Sequence, residues 1–496
     1  MSRSVTVPGR LDLESFISAA TGGATLYLRP EASIDSARRF LLDRLSQGEV
    51  IYGVNTGFGP LVGRKVANEA AEELQEHLLQ QLSPNVGPPV PAAVARGTVA
   101  LRAAALARGH SGVGSELVSA LVDLFNSGAT PLLRSYGSVG ASGDLVPLAR
   151  LARVLLGQGE IRLPGGEVRP NSPALLRQLG VSPVQLGAKE ALALVNGTSF
   201  SAAITAVSLH GALRILADRL LPLSATLLLL MGDSLQHLSE GIYELKAHPS
   251  AISILRELRL WLDPLRPEES FGVPQPPYSA RSLVLWLGVV RDHFDSAGET
   301  IEVEMNSVDD NPLLFPEQER ILHGANFQGV YAARAAEEVT GGLAKASVLM
   351  ERQLNRLFHE HLNGGLPPFL APEPVGLHSG LQGFQLLATS LLADIRSRAL
   401  FHGAGSVPTN GDNQDVVSMS ANAGANAMEV TRKSSYIASV LECSLARALQ
   451  LREVELPERL AAWWEKRRFL LEADYAGEPL DQLLEGRKAS IIPWDE

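Results

Sequence analysis

The sequence predicts a mostly α protein in which long helices form a central bundle, with small extended pieces near the N-terminus. Long stretches rich in alanine and leucine carry polar residues at three- and four-residue intervals, the spacing of amphipathic helices. Alternation of apolar and polar residues, the pattern of half-buried strands, is scarce. The stretch 199–231 is apolar around too much of its circumference for a surface helix, which places it inside a bundle or between subunits.

In chain order, the pattern predicts an extended piece at 24–28, a long helix at 92–107, and a hairpin around 160–169, where Leu-Pro-Gly-Gly-Glu supplies the turn. The remaining long helices are predicted at 199–231, 329–358 and 376–402. Loops rich in glycine and proline separate these helices, at 53–63, 83–91, 137–143, 271–278 and 364–374. Because loops commonly carry functional groups on a helical scaffold, we expect the chemistry in these loops.

The overall composition is that of an acidic globular protein. The chain has 496 residues, 43 Lys and Arg against 54 Asp and Glu, a formal charge of −11 and 45% hydrophobic residues. That hydrophobic fraction is too high for a disordered chain. Nucleic acid is not an expected partner, because an acidic balance without a basic run lacks the charge that phosphate binding requires.

Cysteine usage points to a reducing compartment. Cys443 is the single cysteine, so the chain can form neither an intramolecular disulfide nor a cysteine-based metal site. The first residues are polar and lack an apolar signal core, and the longest uncharged apolar run, 220–232, is too short to span a bilayer. We therefore expect a cytoplasmic protein without membrane contact.

The loop 137–144, Gly-Ser-Val-Gly-Ala-Ser-Gly-Asp, permits several interpretations. It lacks the Gly-Lys-Ser/Thr ending and the preceding strand of a phosphate-binding loop, and no G-x-S-x-G elbow surrounds Ser142. His359 and His361 suggest a metal, but two residues apart on a helix they point to different faces, so no metal site is predicted. By themselves, Ala141, Ser142 and Gly143 are most simply an ordinary tight turn.

The longer string 137–149 resembles the signature of the aromatic amino acid ammonia-lyase and aminomutase family, which includes histidine, phenylalanine and tyrosine ammonia-lyases. In that family the glycine amide nitrogen attacks the alanine carbonyl, and water is lost from that carbon and from the serine side chain. The resemblance implies that Ala141, Ser142 and Gly143 form 4-methylideneimidazole-5-one autocatalytically, with no external cofactor. This group is an electrophile, which none of the twenty side chains supplies.

The resemblance continues along the chain in matching order. Segments similar to those of the family lie at 52–59, 189–198, 278–281, 310–313, 324–329, 363–369 and 413–419. Alone, each has a plain structural interpretation: Tyr52 as a packing residue, Asn196 as a helix cap, Arg281 as a solvated cation. Together and in this order they favour membership of the family.

The resemblance also implies roles for individual residues. Tyr52 is the expected base that removes the β-hydrogen, the substrate amine adds to the carbon derived from Ser142, and Arg281 clamps the substrate carboxylate in a bidentate pair. The other expected contacts are hydrogen bonds from Tyr278, Asn196 and Gln414 to the prosthetic group, the amine or one another, packing by Phe327, and a backbone contact from Gly59 to the carboxylate or amine.

Substrate selectivity in the family is associated with two adjacent helix residues, which here are Gln81 and Leu82. Leu82 offers no group to an imidazole, and Phe327-Gln-Gly departs from the pattern of histidine enzymes, so histidine is disfavoured. The Gln81 amide can hydrogen-bond a ring hydroxyl, and leaving it buried and unpaired costs about 1 to 3 kcal/mol. Tyrosine or a catechol analogue therefore ranks first and phenylalanine second. Asn410 stands where plant phenylalanine enzymes place a glutamate and is expected on the ring side of the pocket.

Alternatives to an ammonia-lyase remain open on the sequence alone. A 2,3-aminomutase uses the same electrophile but keeps ammonia and the arylacrylate bound for readdition at the β-carbon, which depends on lid closure. Histidine ammonia-lyase is a further alternative, and a catalytically inert helical assembly protein is the non-enzymatic one.

The expected organisation is a single lyase unit, 1–496, with the catalytic loops in 1–190 and the helical bundle in 191–496. The resemblance implies the histidine ammonia-lyase-like fold and a homotetramer in which residues from three subunits build each active site. It also implies a small aromatic amino acid as the bound partner.

Overall fold

The computed structural model describes residues 3–29, 31–270, 272, 274–475, 477 and 479–485. Phe271 and Val273, from the predicted loop 271–278, lie outside the described residues, as do both ends of the predicted unit 1–496. Helices hold 59% of the residues and strands 8%, which confirms the mostly α prediction. Among the described helices, none combines the length and apolarity needed to cross a membrane.

The N-terminal part consists of short helices and short strands. Its helices are α1 (Leu13–Ala20), α2 (Ala32–Ser46), α3 (Ala71–Gln81), α4 (Ala92–Leu106), α5 (Ser115–Asn126), α6 (Val146–Leu155), α7 (Pro173–Gln178) and α8 (Glu190–Val195). Its strands are β1 (Arg3–Val7), β2 (Ala24–Leu28), β3 (Val86–Pro89), β4 (Thr130–Pro131), β5 (Arg134–Tyr136), β6 (Glu160–Arg162) and β7 (Val168–Pro170).

These strands form small separate sheets. β1 pairs with β2 in parallel, with Val5 opposite Leu26, and β3 pairs antiparallel with β5. β6 and β7 form an antiparallel hairpin, with Ile161 opposite Arg169, and β4 joins its other edge. The predicted extended pieces at 24–28 and 160–169 are thereby confirmed.

The C-terminal part carries the long helices. Together with several short ones, the helices of this part are α9 (Ser199–Arg214), α10 (Leu221–Met231), α11 (Glu240–Glu244), α12 (Pro249–Leu262), α13 (Tyr278–Arg281), α14 (Leu283–Met305), α15 (Val330–Phe358), α16 (Gln382–Arg398), α17 (Ser420–Leu451), α18 (Glu458–Glu465), α19 (Arg468–Leu471) and α20 (Leu480–Glu485). A hairpin of β8 (Leu313–Phe315) and β9 (Arg320–Leu322) lies between α14 and α15. A π-helical turn, Ile215–Leu220, joins α9 to α10.

The core of the bundle is built from α9, α14, α15 and α17, which pack along one another. Every residue from Ser199 to Leu209 and in 219–228 is buried, so the predicted place inside a bundle is confirmed for these two parts of 199–231, whereas Arg214, Ala217 and Asp218 between them are exposed. The predicted helices at 92–107 and 329–358 are also confirmed, whereas the predicted 376–402 begins later, at Gln382. Alanine, serine and glycine on the buried faces of α9 and α17 leave little side chain between the helices, which lets them approach closely.

The bundle brings several helix beginnings to one loop. α6 starts directly after the loop 140–145, and the Asp144 carboxylate accepts the N–H groups of Phe200 and Ser201 in the first turn of α9. Gly140 lies against Ser420, the first residue of α17, and its carbonyl accepts the N–H of Gly329, directly before α15. Since helix N-termini carry a partial positive charge, the loop lies in an electropositive environment.

Candidate active site

The loop that contains Ala141, Ser142 and Gly143 is pressed against the segment 195–197. The Asp144 N–H donates to the Gly197 carbonyl at 2.7 Å, and the Leu145 N–H donates to the Val195 carbonyl at 3.1 Å. Gly143 has a φ of +70°, and a Cβ added there would lie 2.4 Å from both the backbone nitrogen and the backbone oxygen of Gly197. The position therefore accepts glycine alone.

Asp144 anchors the end of this loop. Its buried carboxylate accepts the Phe200 N–H at 2.6 Å, the Ser201 N–H at 3.1 Å and the Ser201 hydroxyl. Burial raises the pKa of Asp144 to about 7, against the opposing effect of these hydrogen bonds. The side chain thus ties the loop to the first turn of α9.

Two amide side chains fix Ser142. The Asn196 Nδ2 donates to the Ser142 carbonyl at 2.8 Å, and the Gln414 Nε2 donates to the Ser142 Oγ at 2.6 Å. The Thr409 hydroxyl donates to the Gln414 Oε1 at 2.5 Å, which orients the amide so that its NH₂ group faces Ser142. Within the described part of the chain, the Asn196 Oδ1 is buried and accepts no hydrogen bond, so it is available to a further donor.

Tyr52 lies in a turn that its own neighbours hold in place. Its phenol oxygen accepts the Gly59 N–H at 2.9 Å, an interaction that strengthens when the oxygen carries negative charge. In the structure the Gly59 N–H is thus directed at Tyr52, and the expected contact of Gly59 with substrate stays a prediction. The buried Gln75 braces the turn, because its Nε2 donates to the Gly53 carbonyl and its Oε1 accepts the Leu192 N–H, both at 3.0 Å.

These groups face a cavity of about 1170 Å³. The predicted site residues that line it are Tyr52, Gly59, Gln81, Leu82, Ala141, Ser142, Asn196, Phe327, Asn410 and Gln414. Gly143 belongs to the same loop and directly follows Ser142 in the chain. Asn410 lies beside the Tyr52 turn, because a Cβ added at Gly59 would lie 2.3 Å from its Nδ2.

The cavity also contains residues that the sequence did not single out. His77 and His323 line its wall, and the His323 Nε2 lies 3.5 Å from the Tyr52 backbone nitrogen. Burial lowers the pKa of His323, which favours the neutral imidazole. Thr409 acts through Gln414, five residues further along the chain. Gln75 acts through the Tyr52 turn, which it joins to Leu192, 117 residues further along the chain.

Tyr278 and Arg281 lie elsewhere, on the short helix α13. Tyr278 is 72% exposed, and the Arg281 guanidinium lies over its ring at 4.8 Å from the centroid and donates to Gln275. Arg281 lines a separate cavity of about 310 Å³. One chain by itself therefore does not bring these two residues to Ser142.

Two buried ion pairs near the loop show what other segments that resemble the family contribute to the structure. Arg102 pairs with Asp309 at 2.6 Å and Lys189 pairs with Asp310 at 2.7 Å, and these four side chains are buried. Asp309 also accepts the Thr198 N–H at 2.7 Å. Segments 189–198 and 310–313 thus hold Asn196 in place against the loop.

The matched region and the fold identify the family. The aromatic amino acid lyase family matches residues 11–468, which is most of the chain. The chain belongs to the aromatic amino acid lyase family. A histidine ammonia-lyase of Deinococcus radiodurans is 35% identical over 92% of this chain and 87% of its own length, and a tyrosine 2,3-aminomutase of Myxococcus fulvus is 36% identical over 81% and 80%.

The solved structures agree with this family. A tyrosine aminomutase from Streptomyces globisporus superposes with a TM-score of 0.91 and 32% identity, covering 100% of this chain and 97% of that one. The predicted histidine ammonia-lyase-like fold is confirmed. This member of the aromatic amino acid lyase family is an enzyme of the carbon–nitrogen lyase class, and the inert assembly protein is set aside.

Proposed function

We propose that the protein removes ammonia from an aromatic L-amino acid, tyrosine before phenylalanine, to give the corresponding arylacrylate. The observation that carries this proposal is the convergence of Tyr52, Ser142, Asn196 and Gln414 on one cavity. Elimination of ammonia from an amino acid requires a base and polar groups that hold the reacting atoms in fixed positions. The phenol can act as the base, and the two amides bound to the carbonyl and the hydroxyl of one serine supply the fixed polar contacts.

The residues of the loop fit the prosthetic group 4-methylideneimidazole-5-one. Gly143 tolerates no Cβ and Asn196 keeps a buried free acceptor, so the loop suits ring closure between residues 141 and 143. When formed, the group supplies an electrophilic carbon that makes the substrate amine a leaving group. Asn196 and Gln414 would hold it through the contacts they now make with Ser142.

The other side chains position substrate and move a proton. Tyr52 takes the β-hydrogen as a proton onto its phenol oxygen, and the Gly59 N–H stabilises that oxygen while it is negatively charged. Phe327 packs against the substrate. His323, uncharged beside the Tyr52 turn, adds no positive charge that would compete for the substrate carboxylate.

The carboxylate site is proposed to come from a neighbouring subunit of a homotetramer. Arg281 and Tyr278 lie outside the cavity of their own chain and Tyr278 is exposed, so both are available to another chain. Exposed apolar side chains at Leu400, Phe401, Val407 and Val416 lie in the stretch that also provides Thr409 and Gln414. A partner covering this surface would bury it next to the cavity.

The preference for a hydroxylated ring rests on the wall formed by the end of α3. Gln81 and Leu82 line the cavity, and Gln81 is exposed in a single chain, so its amide is available to a ring hydroxyl. Asn410 contributes a second amide to the cavity, beside Gly59. A bare phenyl ring leaves these amides without a partner from the substrate.

A tyrosine 2,3-aminomutase is the second candidate, because proteins with that name are among the relatives at 36% identity and among the structures with TM-scores near 0.9. Histidine ammonia-lyase is the third, favoured only by relatives of that name.

Incubation with tyrosine, phenylalanine, histidine and DOPA separately, followed by product identification, tests the proposal. Coumarate from tyrosine is expected. A β-amino acid as the main product would establish the mutase instead, and urocanate as the main product would overturn the substrate ranking.

We also propose the cytoplasm as the compartment. Cys443 is the single cysteine of the chain and is buried in α17. Its folding therefore gains nothing from an oxidising environment.

A further inference from the structure

A chain of buried serine side chains runs behind the Ala-Ser-Gly loop. Its members are Ser201 in the first turn of α9, Ser420 at the first position of α17 and Ser418 two residues before α17, and they are 4% exposed or less. The catalytic groups described above do not include them. We call these residues the serine chain.

The serine chain connects the two ends of the loop. At one end the Ser418 hydroxyl donates to the Gly140 carbonyl at 2.8 Å. At the other end the Ser201 hydroxyl donates to the Asp144 carboxylate. Gly140 and Asp144 are the residues directly before and after Ala141, Ser142 and Gly143.

Ser420 links Ser201 to Ser418. Its Oγ lies 3.0 Å from the Ser201 Oγ, and since the Ser201 proton is donated to Asp144, Ser420 is the donor of this bond. Its backbone N–H donates to the Ser418 Oγ at 3.3 Å. The Ser420 hydroxyl also touches Gly140 and Gly329, because a Cβ added at either glycine would lie 2.0 or 2.3 Å from it.

We propose that the serine chain is a positioning device for formation of the prosthetic group, which holds Gly140 and Asp144 at the separation that compresses the tripeptide. This inference rests on the proposed function. α9 and α17 pack along each other in the bundle core, so their first turns form a rigid support. Fixing both ends of a short loop removes chain entropy before ring closure, which raises its rate.

The reaction that the serine chain assists balances as follows. The Gly143 nitrogen forms a bond to the Ala141 carbonyl carbon, and the carbonyl oxygen leaves as water with the hydrogens of the Gly143 and Ser142 nitrogens. The Ser142 Cβ–Oγ bond then breaks, and the hydroxyl leaves as a second water with the Ser142 Cα hydrogen. No oxidant or reductant is needed.

The test follows the mass of the intact chain. Wild-type protein, Ser420→Ala and Ser418→Ala are made by cell-free synthesis, and the folded fraction is recovered by gel filtration at intervals. Intact-mass spectrometry then gives the share of chains that has lost two water molecules. Ser142→Ala marks the mass without ring closure.

The matched control is Ser444→Ala. Ser444 is a buried serine of the same helix α17, and its hydroxyl donates to the Val440 carbonyl of the preceding turn, far from the loop. A change that acts only through stability affects this variant as well. Ring closure in Ser444→Ala is expected at the wild-type rate.

Each serine chain variant is expected to close the ring about fivefold more slowly, the effect of losing one buried hydrogen bond between neutral groups. Ser418→Ala removes the bond to the Gly140 carbonyl but leaves the side-chain bonds of Ser201 and Ser420 in place, so it gives an answer even where Ser420→Ala folds poorly. If both variants lose water as fast as Ser444→Ala, the inference is wrong. If wild-type chains lose no water, the proposed function itself is wrong and the inference falls with it.

Discussion

At the scale of single residues, the phenol of Tyr52 is the group whose removal should affect the reaction most. Tyr52→Phe keeps the ring that packs against Phe58 and removes the oxygen that accepts the Gly59 N–H. We expect kcat to fall roughly 1000-fold, within the range for loss of a general base, while loss of two waters from the loop proceeds normally.

Steady-state kinetics together with intact mass checks this prediction. Tyr27→Phe is the matched control, because Tyr27 is an exposed tyrosine on β2. If Tyr52→Phe and Tyr27→Phe have the same kinetic constants, Tyr52 has no role in the mechanism.

A second residue-scale prediction concerns the orientation of Gln414. Thr409→Val removes the hydroxyl that donates to the Gln414 Oε1 and frees the amide to turn away from Ser142. A fall in kcat of about fivefold is expected, the effect of one lost hydrogen bond, with KM little changed. Thr409→Ser, which keeps the hydroxyl, should restore kcat, and a failure of this rescue would contradict the role given to Thr409.

Sequence patterns predicted the residues that meet at the cavity better than the residues that support them. Tyr52, Ser142, Asn196 and Gln414 each lie in a segment that resembles the family. Thr409 lies only five residues from Gln414, but its role depends on the contact of Gln414 with Ser142, which is 272 residues away. The contact of His323 with Tyr52 likewise joins distant segments. The sequence around Arg281 does not show whether this residue contributes to the cavity of its own chain or to that of another chain.

At the scale of elements, α14 and α17 were not among the predicted helices, although α17 is 32 residues long. α17 contains five serines, two asparagines and a glycine, residue types that lower helix propensity or favour turns in water. In the bundle the hydroxyls of Thr431 and Ser444 donate to carbonyls one turn earlier, so these polar side chains are buried without losing hydrogen bonds. Burial in the tertiary structure overrides the local preference.

The contact between α14 and the start of α9 should make stability depend on pH. Burial raises the pKa of Glu304 and of Asp144 to about 7, above the ordinary values of 4.5 and 3.8. Between these values and pH 7 the folded protein binds more protons than the unfolded chain, so the free energy of unfolding falls as pH rises. One such group contributes a slope of up to about 1.4 kcal/mol per pH unit.

Glu304→Gln isolates this effect, because its amide oxygen still accepts the Thr198 hydroxyl but does not titrate. Denaturant unfolding at pH 5.5 and pH 8 is expected to show a smaller loss of stability in the variant than in the wild type. An identical pH dependence of the two proteins would contradict the role of Glu304.

At the scale of the whole molecule, the proposed sharing of sites between subunits predicts complementation. Tyr52→Phe and Arg281→Ala chains are each expected to be inactive alone. If Tyr52 and Arg281 of one site come from different chains, co-expressed hybrids contain sites in which both residues are intact. About a quarter of sites should be active in random hybrids.

Activity of purified hybrids carrying two different tags checks this. The control pair is Tyr52→Phe with Ser142→Ala, because both residues line the cavity of one chain and no recovery is expected. Hybrids of Tyr52→Phe and Arg281→Ala without activity would place Arg281 outside the shared site.

The open cavity of the lone chain has a consequence for handling the enzyme. At about 1170 Å³ it exceeds the 300 to 1,000 Å³ typical of small-molecule pockets, although an aromatic amino acid is smaller than most drugs. In an isolated subunit the catalytic groups are exposed to water, and a bound ligand has room to change its orientation. We therefore expect specific activity to decline on dilution to concentrations at which the proposed homotetramer separates into subunits, and to return when the solution is concentrated again.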